Sequence, residues 1–434
     1  MSASRIAQLA ESVARNTKVL DSYLRDHNLP FPSFEADGPA DFGISDDAPE
    51  VEKARTEAID AAAELVDLLQ GPWVILRPLT SGISLNAISR WDIAGKVPLQ
   101  GETTFAALAQ QCRVREVDMR RILRYAMVHH RLFREPRPGV VVHSLASRLL
   151  VDEPLLRDGL WLLAEEHFAT GPHAVAALEK WGADEQQELS HVPYSLVRAD
   201  GKNLFEWMQT DPEGRAMAPR FARAMTSFGL FSNRPAAAQR VGRPIDAYPW
   251  AALGRATVVD LGGSRGHDAI YLAQRYPQLS FVVQDLPAMI DGADEAVPPD
   301  VRGRVRFMPH SFVTPQPLPA DLYMIKQCLH NWPDYQCVRI LQALVPALRP
   351  GARVLIVDGL VPPPGEMPIV MERNVRAYDM LMLASTPGRE REEHDWRRIF
   401  NEADERFKVK SIQHPPTEGD MGPSPGLIEL VWEG

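Results

Sequence analysis

Cysteine is scarce in this chain of 434 residues: Cys112, Cys328 and Cys337 are all there are, and they are scattered without the spacing of metal ligands. An odd count builds no disulfide framework, and no zinc site is indicated, so a reducing compartment is expected, with the cytoplasm as the location. Long apolar runs are missing too. Spanning a bilayer takes about 18 or more consecutive apolar residues, and none exists, which argues against membrane insertion. The opening MSASRIAQLAESVARN has no apolar core of the kind a secretory signal needs, and it reads as the start of an amphipathic helix. Basic charge is the third deficit: 47 Lys and Arg face 57 Asp and Glu, for a net charge of -10, with no concentrated basic stripe. Nucleic acid is therefore not expected as a partner, because phosphate binding rests on clustered Lys and Arg.

What remains is a globular composition, 45% hydrophobic and 24% charged. The length exceeds what one core organises, so two or three closely packed domains are expected. Residues 1–30 carry apolar positions at helical spacing and end at Asn28-Leu29-Pro30, where a helix should stop. The stretch Pro30 to Pro49 is dense in Pro, Gly, Asp and Ser and reads as an exposed linker. A second helix is expected from Pro49 to Leu69, with small alanines that let another helix approach, and these helices (1–75) form a dimerisation segment. Within 76–150 the pattern is two helices, the second over Val117 to His129, followed by a hairpin between Leu132 and Ser144, as in a winged helix. In an acidic chain this reads as a scaffold and not as a DNA reader. Residues 151–235 form a helical linker or substrate region, and from 236 to 434 apolar strand-like runs alternate with helical stretches. That alternation predicts a Rossmann-like, doubly wound α/β domain around a parallel sheet.

The run Ala256 to His267 reads as a buried strand, a glycine turn carrying Gly262 and Gly263, and a helix beginning near Asp268. Glycines let the backbone pass close to a ligand, and the helix start offers amides to its polar parts. The spacing is Asp-x-Gly-x-x-x-Gly; the fingerprint Gly-x-Gly-x-x-Gly is absent here, against a nicotinamide or flavin site. Asp285 ends the next strand about 20 residues on, where a carboxylate can accept both hydroxyls of a ribose.

With these features the sequence resembles the cation-independent small-molecule O-methyltransferases, in particular a fungal secondary-metabolite branch. The likeness covers nearly the whole chain and rests on Val259-Asp260-Leu261-Gly262-Gly263, Asp285-Leu286-Pro287, His330-Asn331-Trp332-Pro333-Asp334, Arg349-Pro350-Gly351 and Asp379-Met380-Leu381. It implies S-adenosylmethionine as cofactor, no metal, a small apolar acceptor and a homodimer. It implies His330 as general base, with Asp358 and Glu390 as the acids that orient it; an imidazole titrates near neutrality and suits proton removal from a hydroxyl. Lys326 matches a cofactor contact, and Phe312 the residue that stacks on adenine; Ser311 stands where the family usually has an acid. Asn331 likewise replaces an acid beside the base. Phe221, Met225, Met382 and Thr386 match positions lining the acceptor pocket. Because some members of this branch are pericyclases, the alternative is a protein that keeps fold and cofactor but steers a cyclisation or dehydration without methyl transfer.

Overall fold

The computed structural model describes residues 4–45, 47–75, 81–182, 188–231, 244–414 and 425–434; the segment junctions expected at 76 and at 235 lie outside them. The chain divides into two compact units, Met1–Ala169 with Arg223–Arg240, and Thr170–Ala222 with Val241–Gly434.

In the first unit, helix α1 (Arg5–Asp26) starts where the Ser4 side chain accepts from the Ala7 amide, and it stops before Asn28, which is left-handed. Helix α2 (Pro49–Gln70) has Pro at its first turn and Gly71 at positive φ beyond its end, the residues that favour those two places. The two helices pack together through Leu9 and Leu24 on one and Val51, Ala54, Ala58 and Ala61 on the other. The connection between them, expected as an exposed linker, is pinned: Ile44 is buried against Leu20, Tyr23 and Phe42, and the Tyr23 hydroxyl accepts from the Ser45 amide at 2.9 Å.

Helices α3 (Phe105–Cys112) and α4 (Glu116–His129) share a core of Phe105, Leu108, Met119 and Leu123. The hairpin expected between Leu132 and Ser144 is reduced to one bridge, Arg134 to Val142, and Val140–Val141 pairs instead with Thr103–Thr104. Positive φ at Arg131 and Phe133 keeps the first run from extending, and Pro136 and Pro138 contribute no amide donors there. Several arginines of α4 and its start are tied to neighbouring acids, Arg115 to Asp118, Arg120 to Glu116 and Arg124 to Glu135.

Helix α5 (Pro212–Phe231) runs from the second unit into the residues assigned to the first. The second unit is built on seven strands, β1 (Ala256–Leu261), β2 (Leu279–Asp285), β3 (Val305–Pro309), β4 (Leu322–Lys326), β5 (Arg353–Asp358), β6 (Phe407–Gln413) and β7 (Gly426–Trp432). Their order is β3-β2-β1-β4-β5-β7-β6. The first five are parallel; β7 runs antiparallel to β5 and to β6. Alternate residues serve two cores: Val259, Leu261 and Ile356 enter the layer containing Ile340 and Phe400, while Val258, Leu355 and Val357 enter the layer containing Leu272 and Trp250. A sheet buried on both faces explains why these strands read as unbroken apolar runs. Helices α6 (His267–Arg275), α7 (Asp334–Leu344), α8 (Ile369–Ser385) and α9 (Glu393–Ala403) belong to the same unit. No described helix is long and apolar enough to cross a membrane.

Candidate active site

The carboxyl ends of β1, β2, β4 and β5 bring most of the expected residues onto one rim, the place where open α/β sheets carry ligands. Between β1 and α6 the chain turns through Gly262, Ser264 and Gly266, all at positive φ. A Cβ on Gly262 would lie 2.7 Å from Cys328 Sγ, and one on Gly266 would lie 2.9 Å from Phe307 Cζ, so the turn admits no side chain at either place. Asp285 faces this turn: its Oδ2 accepts from the Ser264 amide at 2.8 Å and its Oδ1 from Leu286 at 2.7 Å. Burial pushes its pKa up, and these two amides pull it back in part. Phe312 lies next to Gly262 and meets Trp332 edge-on at 5.9 Å. The Phe312 loop is fastened to β2 by a buried reciprocal amide pair, Gln284 with Gln316, at 2.8 and 3.0 Å.

Beneath the turn sits a group of charges. Lys326 donates to Asp268 Oδ2 at 2.8 Å. Asp260, buried at the end of β1, is pushed up to about 8 by burial and by the neighbouring carboxylates of Asp268 and Asp285, against the pull of Lys326. At neutral pH it therefore carries a proton, which sequence inspection of the Asp-x-Gly motif did not suggest.

His330 lies in a single turn of 3-10 helix, Leu329–Asn331, that follows β4. Its Nδ1 is 2.8 Å from Glu390 Oε1 and 3.5 Å from Asp358 Oδ1, and all three side chains are almost fully buried. Asp358 also fixes the turn, since its Oδ2 accepts from the amides of Leu329 and His330 at 2.9 and 3.3 Å. Glu390, which the charged run Arg389-Glu390-Arg391 would equally place on the surface, is the nearer partner of the imidazole. Burial alone would hold His330 neutral, but the two carboxylates outweigh it and push the imidazole up to about 9; the charge of Arg391 acts the other way. These three residues are also the metal-capable group of His and acids found among the described residues. Asn331 turns its amide to the Cys328 carbonyl at 3.3 Å.

Of the expected acceptor positions, Met382 and Thr386 are buried at the end of α8, where the Thr386 hydroxyl donates to the Met382 carbonyl at 3.3 Å. Thr386 borders a small cleft shared with Asn203, Phe205 and Trp332. Phe221 is buried on α5; Met225, on the same helix, belongs to the first unit and is 40% exposed. Trp332 and Phe205, stacked at 5.5 Å, belong to this cleft and were not singled out from the sequence for it.

A doubly wound sheet of this order with one reversed strand, a glycine turn facing a strand-end carboxylate, and a buried histidine facing two acids define a Rossmann-like methyltransferase. The O-methyltransferase domain family matches residues 178–405. The O-methyltransferase pyvH of Aspergillus violaceofuscus is 42% identical over the full length of both chains. The chain belongs to this family: it is an S-adenosylmethionine-dependent O-methyltransferase. The grayanic acid biosynthesis cluster O-methyltransferase of Cladonia grayi is 43% identical over 99% of this chain and 88% of its own. Among solved structures, OxaC superposes with a TM-score of 0.74 at 19% identity, over 99% of this chain and 100% of that one. LepI in complex with S-adenosylmethionine gives 0.70 at 20%, over 98% and 99%. At such identities the likeness is one of fold.

The glycine turn fits the cofactor. No side chain fits at Gly262, where a Cβ would strike Cys328, so the turn presents backbone alone there, with the Asp285 carboxylate at its edge.

Proposed function

We propose that this enzyme methylates a hydroxyl of a small, largely apolar secondary metabolite of polyketide or pyridone type, with His330 as the base that removes the proton. The observation that carries this reading is the engagement of His330 Nδ1 by Glu390 at 2.8 Å with Asp358 behind it. That contact orients the ring, leaves Nε2 to receive a proton, and stabilises the imidazolium that results. S-adenosylmethionine supplies a methyl group already activated by its positive sulfur, and that charge disfavours an imidazolium nearby. The chain's own work is to align the acceptor oxygen, exclude water and hold the proton. Gly262, Gly263, Asp285, Ser311, Phe312 and Lys326 form the cofactor side, and Phe221, Met382 and Thr386 the acceptor side. The substrate class is supported by the Cladonia grayi relative, which is named for a biosynthetic cluster.

Incubation with labelled S-adenosylmethionine and a panel of phenols and hydroxypyridones tests the reading: product and S-adenosylhomocysteine should accumulate one for one. Turnover without S-adenosylhomocysteine would reveal pericyclic chemistry instead.

The segment 1–75 is proposed to dimerise the enzyme, with 76–150 as scaffold and 151–235 as the helical region beside the acceptor. Support comes from Val66, Leu68, Leu69 and Trp73, which are exposed at the end of α2 and just beyond it, as faces that a second copy would cover. A truncation beginning near Gly71 that stayed soluble, monomeric and fully active would refute this. A cytoplasmic location is inferred from the three unpaired cysteines.

A further inference from the structure

Beside the His330 cluster lies a cation that belongs to none of the roles above. Arg391 is fully buried, and besides the Arg389 carbonyl its guanidinium reaches the loop carrying the base and the first residue of the helix after it. Nη1 donates to the Leu329 carbonyl at 3.1 Å, Nη2 to the Trp332 carbonyl at 2.6 Å, and Nε to Asp334 Oδ1 at 2.9 Å. Leu329 and Trp332 bracket His330 and Asn331, so one planar group clamps both ends of the turn. The clamp is itself braced: its guanidinium carbon lies 5.2 Å from the ring centre of Trp396, and Asp334 is shared with Arg389 and Arg398. The neighbour before Arg391 in sequence is Glu390, the partner of the imidazole. The other side of that partner is also held, since the Glu390 amide donates to Asp379 Oδ1 at 2.8 Å.

We infer that Arg391 is a positioning residue: by tying both ends of the turn from Leu329 to Trp332 it holds His330 against Glu390. The inference rests on reading His330 as the base. Two carboxylates face the imidazole, from the ends of β5 and of the loop after α8, and each favours the protonated ring. Tyr378 of α8 faces it with its ring, 5.9 Å away, and burial raises the phenol's pKa so that it adds no charge. Arg391 is the cationic group acting against the carboxylates. A base needs to be held in place, and one buried guanidinium serves that need. Lysine cannot replace it geometrically, because a single ammonium does not present a rigid fork to three separated acceptors.

The test uses the full-length enzyme and two readouts. Histidine-selective ¹⁵N NMR titration, with the His330 signal assigned by its loss in His330→Ala, gives the imidazole midpoint without any acceptor. Turnover is measured with the best acceptor from the phenol and hydroxypyridone panel. Arg391→Gln, which deletes the charge, should raise the midpoint by about one unit and lower turnover. Arg391→Lys, which keeps the charge but not the fork, should leave the midpoint in place and lower turnover by roughly 10–100-fold, the scale of a small misplacement. Wild-type turnover in Arg391→Gln or in Arg391→Lys overturns the inference. If Arg391→Gln does not fold, the lysine variant decides alone, its turnover loss at unchanged midpoint and cofactor affinity supporting the assignment and any other result rejecting it. Failure of the base reading is separate: it shows as full turnover in His330→Ala, whatever the arginine variants do.

Discussion

Glu390 occupies the space that a side chain on Gly359 would need. A Cβ built on Gly359 collides with the Glu390 carboxylate, so the position directly after Asp358 has room for glycine alone. Neither residue explains the other in sequence, where they stand 31 positions apart.

Gly359→Ala should therefore act on the chemistry through Glu390. Turnover is expected to fall by about 100-fold, as for other small displacements of a catalytic group, while calorimetric affinity for S-adenosylmethionine stays near wild type. Wild-type turnover would show that the Glu390 contact is dispensable.

Removing the base has a different signature. His330→Ala should cost about 10²–10⁴ in turnover with cofactor affinity nearly intact, because the imidazole acts on the acceptor oxygen. Asp358→Asn should cost less, since an amide oxygen still accepts from the Leu329 and His330 amides that the carboxylate now holds.

The charge state of His330 sets a pH dependence. The free enzyme's imidazole loses its proton near pH 9, so kcat/KM should climb with pH toward that value. The folded value lies above the ordinary 6.5, so the cluster stabilises the fold fully below about pH 6.5 and loses that contribution as pH rises through about 9. Urea unfolding of wild type and His330→Gln at pH 6, 7.5 and 9 checks the sign: the difference between them should shrink as pH rises.

On the cofactor side, Asp285→Ala should weaken S-adenosylmethionine binding by roughly tenfold or more, because a charge-assisted hydrogen bond contributes about 1.5–3 kcal/mol. Calorimetry reads this directly, and unchanged affinity would remove Asp285 from the site.

Asp260 gives the last test. Its carboxyl is pushed up to about 8 in the fold from an ordinary 3.8, so its contribution is present at acid pH and is lost as pH rises through about 8. A cationic ligand nearby favours the carboxylate, so binding of S-adenosylmethionine at pH 7 should release protons, and the uncharged sulfur of S-adenosylhomocysteine should release fewer. Calorimetry in buffers of different ionisation enthalpy measures the difference, which Asp260→Asn should abolish.

Much of this was legible in the amino-acid order. The four central strands read as apolar runs because both faces of the sheet are buried, and β1 (Ala256–Leu261) opens the run from Ala256 to His267 that reads as strand, turn and helix. The edge strands were not: β3 and β6 mix charged and apolar residues, and β7 pairs antiparallel at the far side of the sheet, where no local pattern announces it. The glycine turn and Asp285 stood out because close backbone approach and a strand-end acid leave local marks. His330, Asp358 and Glu390 came from family likeness, and their contact joins three segments far apart in the chain.

The order of residues by itself determined the class of fold and where the glycine turn falls, because both depend on local periodicity and glycine spacing; the candidate base was named by family likeness through a short motif. Only the tertiary structure decided that Glu390 is buried on the imidazole, that Asp260 keeps a proton, that Gly359 makes room and that Arg391 clamps the turn. Burial and distance set those properties, and both arise from which segments the sheet brings to one rim.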